Sequence, residues 1–284
     1  MDRIRVGLIG HKFMGRAHTH AYTDLPIFFD MGVEVVKRSL CSPEDSAEAA
    51  ARRWGWQKWV RDWRELVADP EIDLIDIAAP SRLHAEVSIA SLRAGKHVFC
   101  EKPLALTIED ARRMADAAQS AGVVHMIGFN YRKVPALALA KKLIDAGEIG
   151  DIYHFRAIYQ QGWLVDPGFP LAWRLRKSEA GYGSHGDLGA HVVDMARFLV
   201  GEITEVSCTQ RTFITERPKP VLEDGLVAVA GTEKGTVDVD DASSMLLRFA
   251  DRKTMGYIEV TRYGASADLV YGGGECIAIR AYRT

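Results

Sequence analysis

Asp187 and His191 stand four residues apart at the head of a stretch with helical spacing, so both are expected to project from one face of that helix. A histidine beside a carboxylate is a base suited to neutral pH. Lys102 follows a short apolar run, His97 to Cys100, and precedes Pro103. At the C-terminal end of a strand in a parallel sheet, an ammonium lies where ligands of such folds bind and can stabilise a developing alkoxide. These groups suit the oxidation of a secondary alcohol, which needs a base for the hydroxyl proton while hydride leaves the carbon. Each also has an ordinary structural reading: lysine as surface charge, aspartate as a helix cap, histidine as its solvated neighbour.

A second signal opens the chain. Gly7-Leu8-Ile9-Gly10-His11-Lys12-Phe13-Met14-Gly15-Arg16-Ala17-His18 joins a β-branched run to a helical stretch. It occupies the place of the GxGxxG dinucleotide fingerprint, with Lys12 where the middle glycine belongs. Gly10 suits the tight turn and Gly15 the close packing of helix on strand. Lys12 either supplies positive charge for a pyrophosphate at the helix N-terminus or points to solvent from a relaxed turn. After the second strand the chain reads Leu40-Cys41-Ser42-Pro43-Glu44. No carboxylate stands directly at the strand end, and Ser42 suits a hydroxyl or a phosphate. The expectation leans to NADP over NAD unless Glu44 curls back to hold a ribose hydroxyl.

Such groups need a sheet and helices to position them. Strands are expected at Ile4–Ile9, Val33–Leu40, Ile72–Ala78, His97–Cys100 and Val123–Ile127. Helices are expected between them at Pro43–Trp54, Arg82–Ala94 (stopped by Gly95) and Thr107–Ala121, an alternation that builds parallel βαβ units. Beyond about residue 130 the grammar changes. A helix at Pro135–Ala146 and another at Asp187–Leu199 accompany extended runs at Ile152–Gln160, Glu205–Phe213, Ser243–Phe249 and Thr254–Thr261. Strands in succession point to an antiparallel or mixed sheet. The expected organisation is therefore a doubly wound α/β Rossmann domain over residues 1–128, and an α+β domain with an open, largely antiparallel sheet over residues 129–284.

Composition narrows the partners. With 48% hydrophobic and 26% charged residues the chain is an ordinary globular sequence. A net charge of −2 offers no basic face to nucleic acid or membrane lipid. The first apolar run is expected to be a buried strand rather than a leader. Cys41, Cys100, Cys208 and Cys276 are scattered, with no metal-ligand spacing, and are expected to be reduced thiols in a cytoplasmic protein.

Several segments together resemble the Gfo/Idh/MocA oxidoreductase family. Cys100-Glu101-Lys102-Pro103 resembles its EKP motif, and Ala79-Pro80-Ser81-Arg82-Leu83-His84 is similar to its third-strand loop. Phe129-Asn130-Tyr131-Arg132 resembles its domain-junction segment, and Gly183 to Asp194 its DxGxH helix. The resemblance implies Lys102 and His191 as a catalytic pair, with Asp187 holding a substrate hydroxyl. For the cofactor it points to Gly10, Lys12, Phe13, Met14, Gly15, Ser42, Pro80, His84, Glu101 and Lys102. Tyr131, Arg132, Trp163, Trp173 and Arg174 would line a sugar pocket, since aromatic faces and guanidinium forks suit polyhydroxylated rings. Core packing competes as the role of the two tryptophans, while His18 and His20 are expected to satisfy local polar contacts. The wording around Trp173-Arg174 and Asp240-Asp241 is nearest to members that oxidise a 1,6-anhydro sugar.

The resemblance implies a sugar or cyclitol dehydrogenase using NAD or NADP. A redox glycoside hydrolase with a retained NAD, and a dinucleotide-binding protein without turnover, are the competing classes. The family's second domain continues past the stretch matching Val270 to Ile279. The sheet is therefore expected to carry an unpaired edge and an uncovered face, so that either the product folds poorly or homo-oligomerisation covers that surface.

Overall fold

The computed structural model describes residues 2–224, 227–264 and 276–280. The chain divides into two compact units, one ending at Gly128 and the other running from Phe129 to Glu223 and resuming at Val227.

The first unit alternates strands and helices: β1 (Asp2–Ile9), α1 (Phe13–Phe28), β2 (Val33–Cys41), α2 (Ser46–Trp54), β3 (Lys58–Val60), α3 (Trp63–Ala68), β4 (Leu74–Ile77), α4 (His84–Arg93), β5 (His97–Cys100), α5 (Ile108–Ala121) and β6 (His125–Ile127). Its six strands are all parallel and ordered β3-β2-β1-β4-β5-β6. The order reverses between β1 and β4, the switch point at which such sheets open a crevice beyond their C-terminal strand ends. Val6, Leu8, Ile75 and Ile77 are fully buried, as central strands covered on both faces require.

Two expectations change here. The second helix begins at Ser46 rather than Pro43, whose carbonyl instead accepts a hydrogen bond from Arg61. The sixth strand, β3, is only three residues long and carries no periodic signal. It exists because the exposed edge of β2 pairs it through Ser39, Leu40 and Cys41. By contrast, α5 starts as expected, with the Thr107 hydroxyl accepting from the Asp110 amide.

The second unit contains α6 (Pro135–Asp145), β7 (His154–Gln160), α7 (Lys177–Ala180), α8 (Ala190–Leu199), β8 (Ile203–Arg211), β9 (Glu216–Asp224), β10 (Val227–Thr236), β11 (Ala242–Phe249), β12 (Met255–Thr261) and β13 (Cys276–Arg280). Its main sheet runs β13-β7-β12-β11-β8, with β12 and β7 parallel and the other pairs antiparallel. Leu188, Val192, Met195 and Leu199 pack on the alternate residues Met245, Leu247 and Phe249 of β11 and Ile258 and Val260 of β12. β9 and β10 form a separate two-stranded sheet that periodicity did not reveal.

The helix expected at Asp187–Leu199 is two structures. One π turn spans His185–Gly189 and α8 follows from Ala190. Asp240 holds the entry, its carboxylate accepting from the Ser184 hydroxyl at 2.6 Å and the His185 amide at 2.7 Å. Single π turns inside helices recur at functional sites. Residues 265–275, which include most of the stretch from Val270, lie outside the described residues.

Candidate functional site

The glycine loop leaves β1 at Gly10, whose φ of +106° excludes a side chain. A Cβ there would meet the Ala78 carbonyl oxygen at 2.4 Å, and one at Gly15 would meet the Gly10 oxygen at 2.0 Å. Both glycines are therefore required by the close approach of α1 to the strand ends, with or without the middle glycine. Lys12 takes the first position before α1, and its Nζ lies 2.5 Å from Glu44 Oε2. Phe13 is exposed and Met14 half-buried at the start of the helix. Ser42 is buried, and its hydroxyl accepts from the Glu44 amide. The Lys12 and Ser42 contacts therefore converge on Glu44, and the loop carries a carboxylate beside it.

Beyond β4 and β5, Pro80 is exposed and Lys102 half-buried. His84, expected among the cofactor contacts, stands at the head of α4. It is 1% exposed, with Nδ1 2.9 Å from the Pro103 oxygen and Nε2 3.0 Å from the Ala79 oxygen. Burial pushes its pKa down. Both ring nitrogens face backbone, so His84 ties the turn after Lys102 to the loop after β4.

His18 departs further from a merely local role. Its Nδ1 lies 3.0 Å from both carboxylate oxygens of Asp76, and its Nε2 lies 3.1 Å from Glu101 Oε1. Carboxylates only accept, so the ring donates at both nitrogens and is an imidazolium. Although burial opposes the charge, hydrogen bonds to Asp76 and Glu101 raise the pKa to about 10. Tyr22 donates to Asp76 at 2.7 Å, and Glu101 Oε2 accepts from the Lys102 amide at 3.1 Å.

In the second unit, His191 is buried against aromatic rings. Tyr131 lies nearly over it at 4.4 Å, with Phe129 at 6.3 Å and Tyr159 at 6.5 Å. A string of hydrogen bonds runs outward from this group. Tyr131 and Tyr159 share a bond of 2.9 Å between hydroxyls, Gln161 donates to Tyr159, and Trp163 donates to Gln161 at 2.8 Å. Tyr131, Trp163 and His191 are thus brought together, by Tyr159 and Gln161, which motif reading did not single out. The signal for Gln161 was weak: a polar residue just past a strand end, with no partner in sequence.

Arg132 is not brought into that group. It grips Asp194 of α8 with Nε at 2.8 Å and Nη2 at 2.5 Å. A bidentate pair with a 6%-exposed carboxylate commits the fork to helix α8. Trp173 donates its amide to Glu223 and lies under the Arg174 guanidinium at 4.3 Å. Burial holds the Arg174 pKa below its ordinary value; Asp187 opposes that shift and Arg262 reinforces it.

Asp187 is organised by a residue that no motif contained. Arg262, 1% exposed, donates from Nη2 to Asp187 Oδ2 at 3.0 Å. Its guanidinium also reaches the Arg174 and Gly183 carbonyls at 3.4 and 3.3 Å, and lies 5.5 Å from the Trp163 ring. With one oxygen held by Arg262, the Asp187 carboxylate is fixed as a hydrogen-bond acceptor.

Among the described residues no cluster of metal ligands forms, and no helix is long and apolar enough to cross a membrane. Cys41, Cys100 and Cys208 are free thiols, and burial pushes the first two up to about 12. The side chain of Cys276 is outside the described residues.

A six-stranded sheet of this order with a glycine loop at its switch point has the form of a dinucleotide-binding Rossmann domain. Residues 4–129 match the profile of the oxidoreductase family with an NAD-binding Rossmann fold, and residues 137–273 match the GFO/IDH/MocA C-terminal domain. The chain belongs to the GFO/IDH/MocA oxidoreductase family. It is 48% identical over 268 residues to levoglucosan dehydrogenase of Pseudarthrobacter phenanthrenivorans, covering 92% of this chain and 68% of that protein. The scyllo-inositol 2-dehydrogenase (NAD(+)) of Bacillus subtilis is 40% identical over 57% of this chain and 45% of its own length. Levoglucosan dehydrogenase in complex with NADH and levoglucosan superposes with a TM-score of 0.89 at 43% identity, over 99% of this chain and 71% of that one.

Proposed function

We propose that this chain transfers hydride between a secondary hydroxyl of a sugar, anhydro sugar or cyclitol and a nicotinamide cofactor. The observation that carries the reading is the second unit's polar and aromatic group. His191 is enclosed by Tyr131 and Tyr159, and Trp163 is linked to them by hydrogen bonds. Aromatic faces beside donors and acceptors suit a ring that is apolar on its faces and hydroxylated at its rim. In this reading His191 removes the hydroxyl proton, Lys102 stabilises the developing alkoxide, and Asp187 accepts from a neighbouring hydroxyl. The nicotinamide, when bound, accepts the hydride. Trp173 and Arg174 supply a further stacked face.

The glycine loop suits a dinucleotide, because Gly10 and Gly15 let the N-terminus of α1 pack close to the strand ends, where its backbone amides can face a pyrophosphate. The sequence leans to NADP for want of a carboxylate at the end of β2. The Lys12–Glu44 pair weighs the other way: it sets a carboxylate beside the loop, where a ribose 2′-hydroxyl would donate to it and a 2′-phosphate would be repelled. We therefore favour NAD, held by Gly10, Lys12, Phe13, Met14, Gly15, Glu44 and Pro80, while both oxygens of Glu101 are engaged by His18 and the Lys102 amide.

The test is a screen of cyclic polyols and anhydro sugars with NAD and NADP, read as absorbance of the reduced cofactor. Turnover with net reduction supports the proposal. Glycoside cleavage without net reduction, or cofactor binding with no turnover on any polyol, would replace it with a redox hydrolase or a non-catalytic binder. Titrating both cofactors into the apo protein decides between them; tighter NADP would remove Glu44 from the ribose site. Exposed Val206, Leu246 and Met255 on the second sheet also suit burial against another copy. Sedimentation as a monomer at working concentration would dismiss that arrangement.

A further inference from the structure

Lys102 needs a fixed place, yet it follows a four-residue strand and leads into an irregular turn. Two histidines brace that turn, one at the residue before Lys102 and one at the residue after it. His84 reaches the Pro103 carbonyl at 2.9 Å. His18, on the helix that carries the glycine loop, reaches Glu101 at 3.1 Å and Asp76 at 3.0 Å. Glu101 in turn accepts from the Lys102 amide at 3.1 Å. Gly128 leaves the room this requires, since a Cβ there would stand 2.8 Å from Glu101 Oε1.

Among the described residues, the charged groups that act on His18 are Asp76 and Glu101. Asp76 comes from β4 and Glu101 from the end of β5. Tyr22, one turn along α1, donates to Asp76, and the Phe99 ring of β5 lies 5.5 Å away. Asp76 is fully buried and Glu101 is 9% exposed, so two carboxylates meet in the interior with one cation between them. The second is the residue whose other oxygen holds the Lys102 backbone.

We propose that His18 is a positioning residue for Lys102: its ring, clamped between Asp76 and Glu101, fixes the carboxylate that holds the Lys102 amide, and so ties the lysine to the helix that bears the dinucleotide loop. This rests on the reading of Lys102 as a residue of the reaction, but the bracing itself can be tested without turnover.

The experiment uses the whole chain with His18→Gln, which keeps a donor for one carboxylate and loses the bridge. Amide hydrogen exchange of Lys102 should become faster by about tenfold or more, while amides in β1 and β5 keep their protection. With substrate, kcat should fall about tenfold, since small misplacement of a reacting group has effects of at least that order, while the dissociation constant of NAD stays within about twofold. In a Glu101→Ala background, His18→Gln should lower kcat no further, because the route through Glu101 is already cut. A His18→Lys variant restores a cation to the carboxylates without the rigid bridge and should leave both defects in place. An unchanged Lys102 exchange rate, an equal loss in the Glu101→Ala background, or full recovery by His18→Lys would each overturn the proposal. If the parent turns over no polyol, the reading of activity fails and the exchange measurement alone decides the bracing.

Discussion

Each unit of the molecule keeps a buried cation against a carboxylate of its candidate site, and the two are built differently. In the first unit, His18 lies between Asp76 and Glu101, one titratable cation against two carboxylates. In the second, Arg262 holds Asp187 and reaches two backbone carbonyls, a permanent cation with one carboxylate. The guanidinium stays charged at every working pH and organises by its fork. The imidazolium stays charged only because its partners hold the proton, so its contribution carries a pH limit. The lesson is that a cation held against a carboxylate makes a pH-independent clamp in one place and a pH-limited brace in the other.

Removing the permanent cation should have the largest effect. Arg262→Met leaves Asp187 without its buried partner and is expected to destabilise the second unit by ~3–5 kcal/mol, the scale for breaking one side of a buried pair. Arg262→Lys should recover part of that stability while leaving the carbonyl contacts unmade. Denaturant unfolding of both variants measures it; a parent-like Arg262→Met would show that the pair contributes nothing. On the catalytic side, Lys102→Ala and His191→Ala should each lower kcat by at least ~10², the scale of positioned acid–base groups, with the fold intact by circular dichroism. Near-parent turnover in either removes that residue from the reaction.

The titratable brace makes a prediction of sign. His18 is raised from 6.5 in the unfolded chain to about 10 in the fold. The folded state therefore holds the extra proton between those values. The stability His18 contributes is fully present below pH 6.5 and is lost as pH rises through about 10. Melting temperature should fall with rising pH across that window, and the slope should flatten in His18→Gln. A slope unchanged by the substitution would mean the ring is neutral. Arg262→Lys should leave the slope as it is.

The smallest effect belongs to Lys12, which is 38% exposed in its pair with Glu44. Lys12→Met should weaken cofactor binding by ~1 kcal/mol, and Lys12→Gly by less, since glycine lets the backbone approach. Both losses should shrink at high salt, where such exposed charge is screened. Equal affinity for the parent and both variants at every ionic strength would make Lys12 a bystander.

The βαβ order, the glycine turn, the strand that leads into Glu101-Lys102 and the helix bearing His191 were all legible in the sequence, because each rests on local patterns of spacing, capping and apolar alternation. So was the family. β3 was not, because three residues pair only when a neighbouring edge offers them partners, and β9 and β10 lacked a clean alternation. Arg132 looked like a sugar ligand until Asp194, 62 residues along, claimed it. His84 takes its partners from backbone oxygens 19 and 5 residues away, which no motif specifies. Arg262 and His18 lie 75 and 83 residues from Asp187 and Glu101, the carboxylates they hold. Side-chain types and their periods are written along the chain, and they select the elements. Which buried charge meets which carboxylate depends on where strand ends and helix faces converge in space, and only the folded molecule decides that.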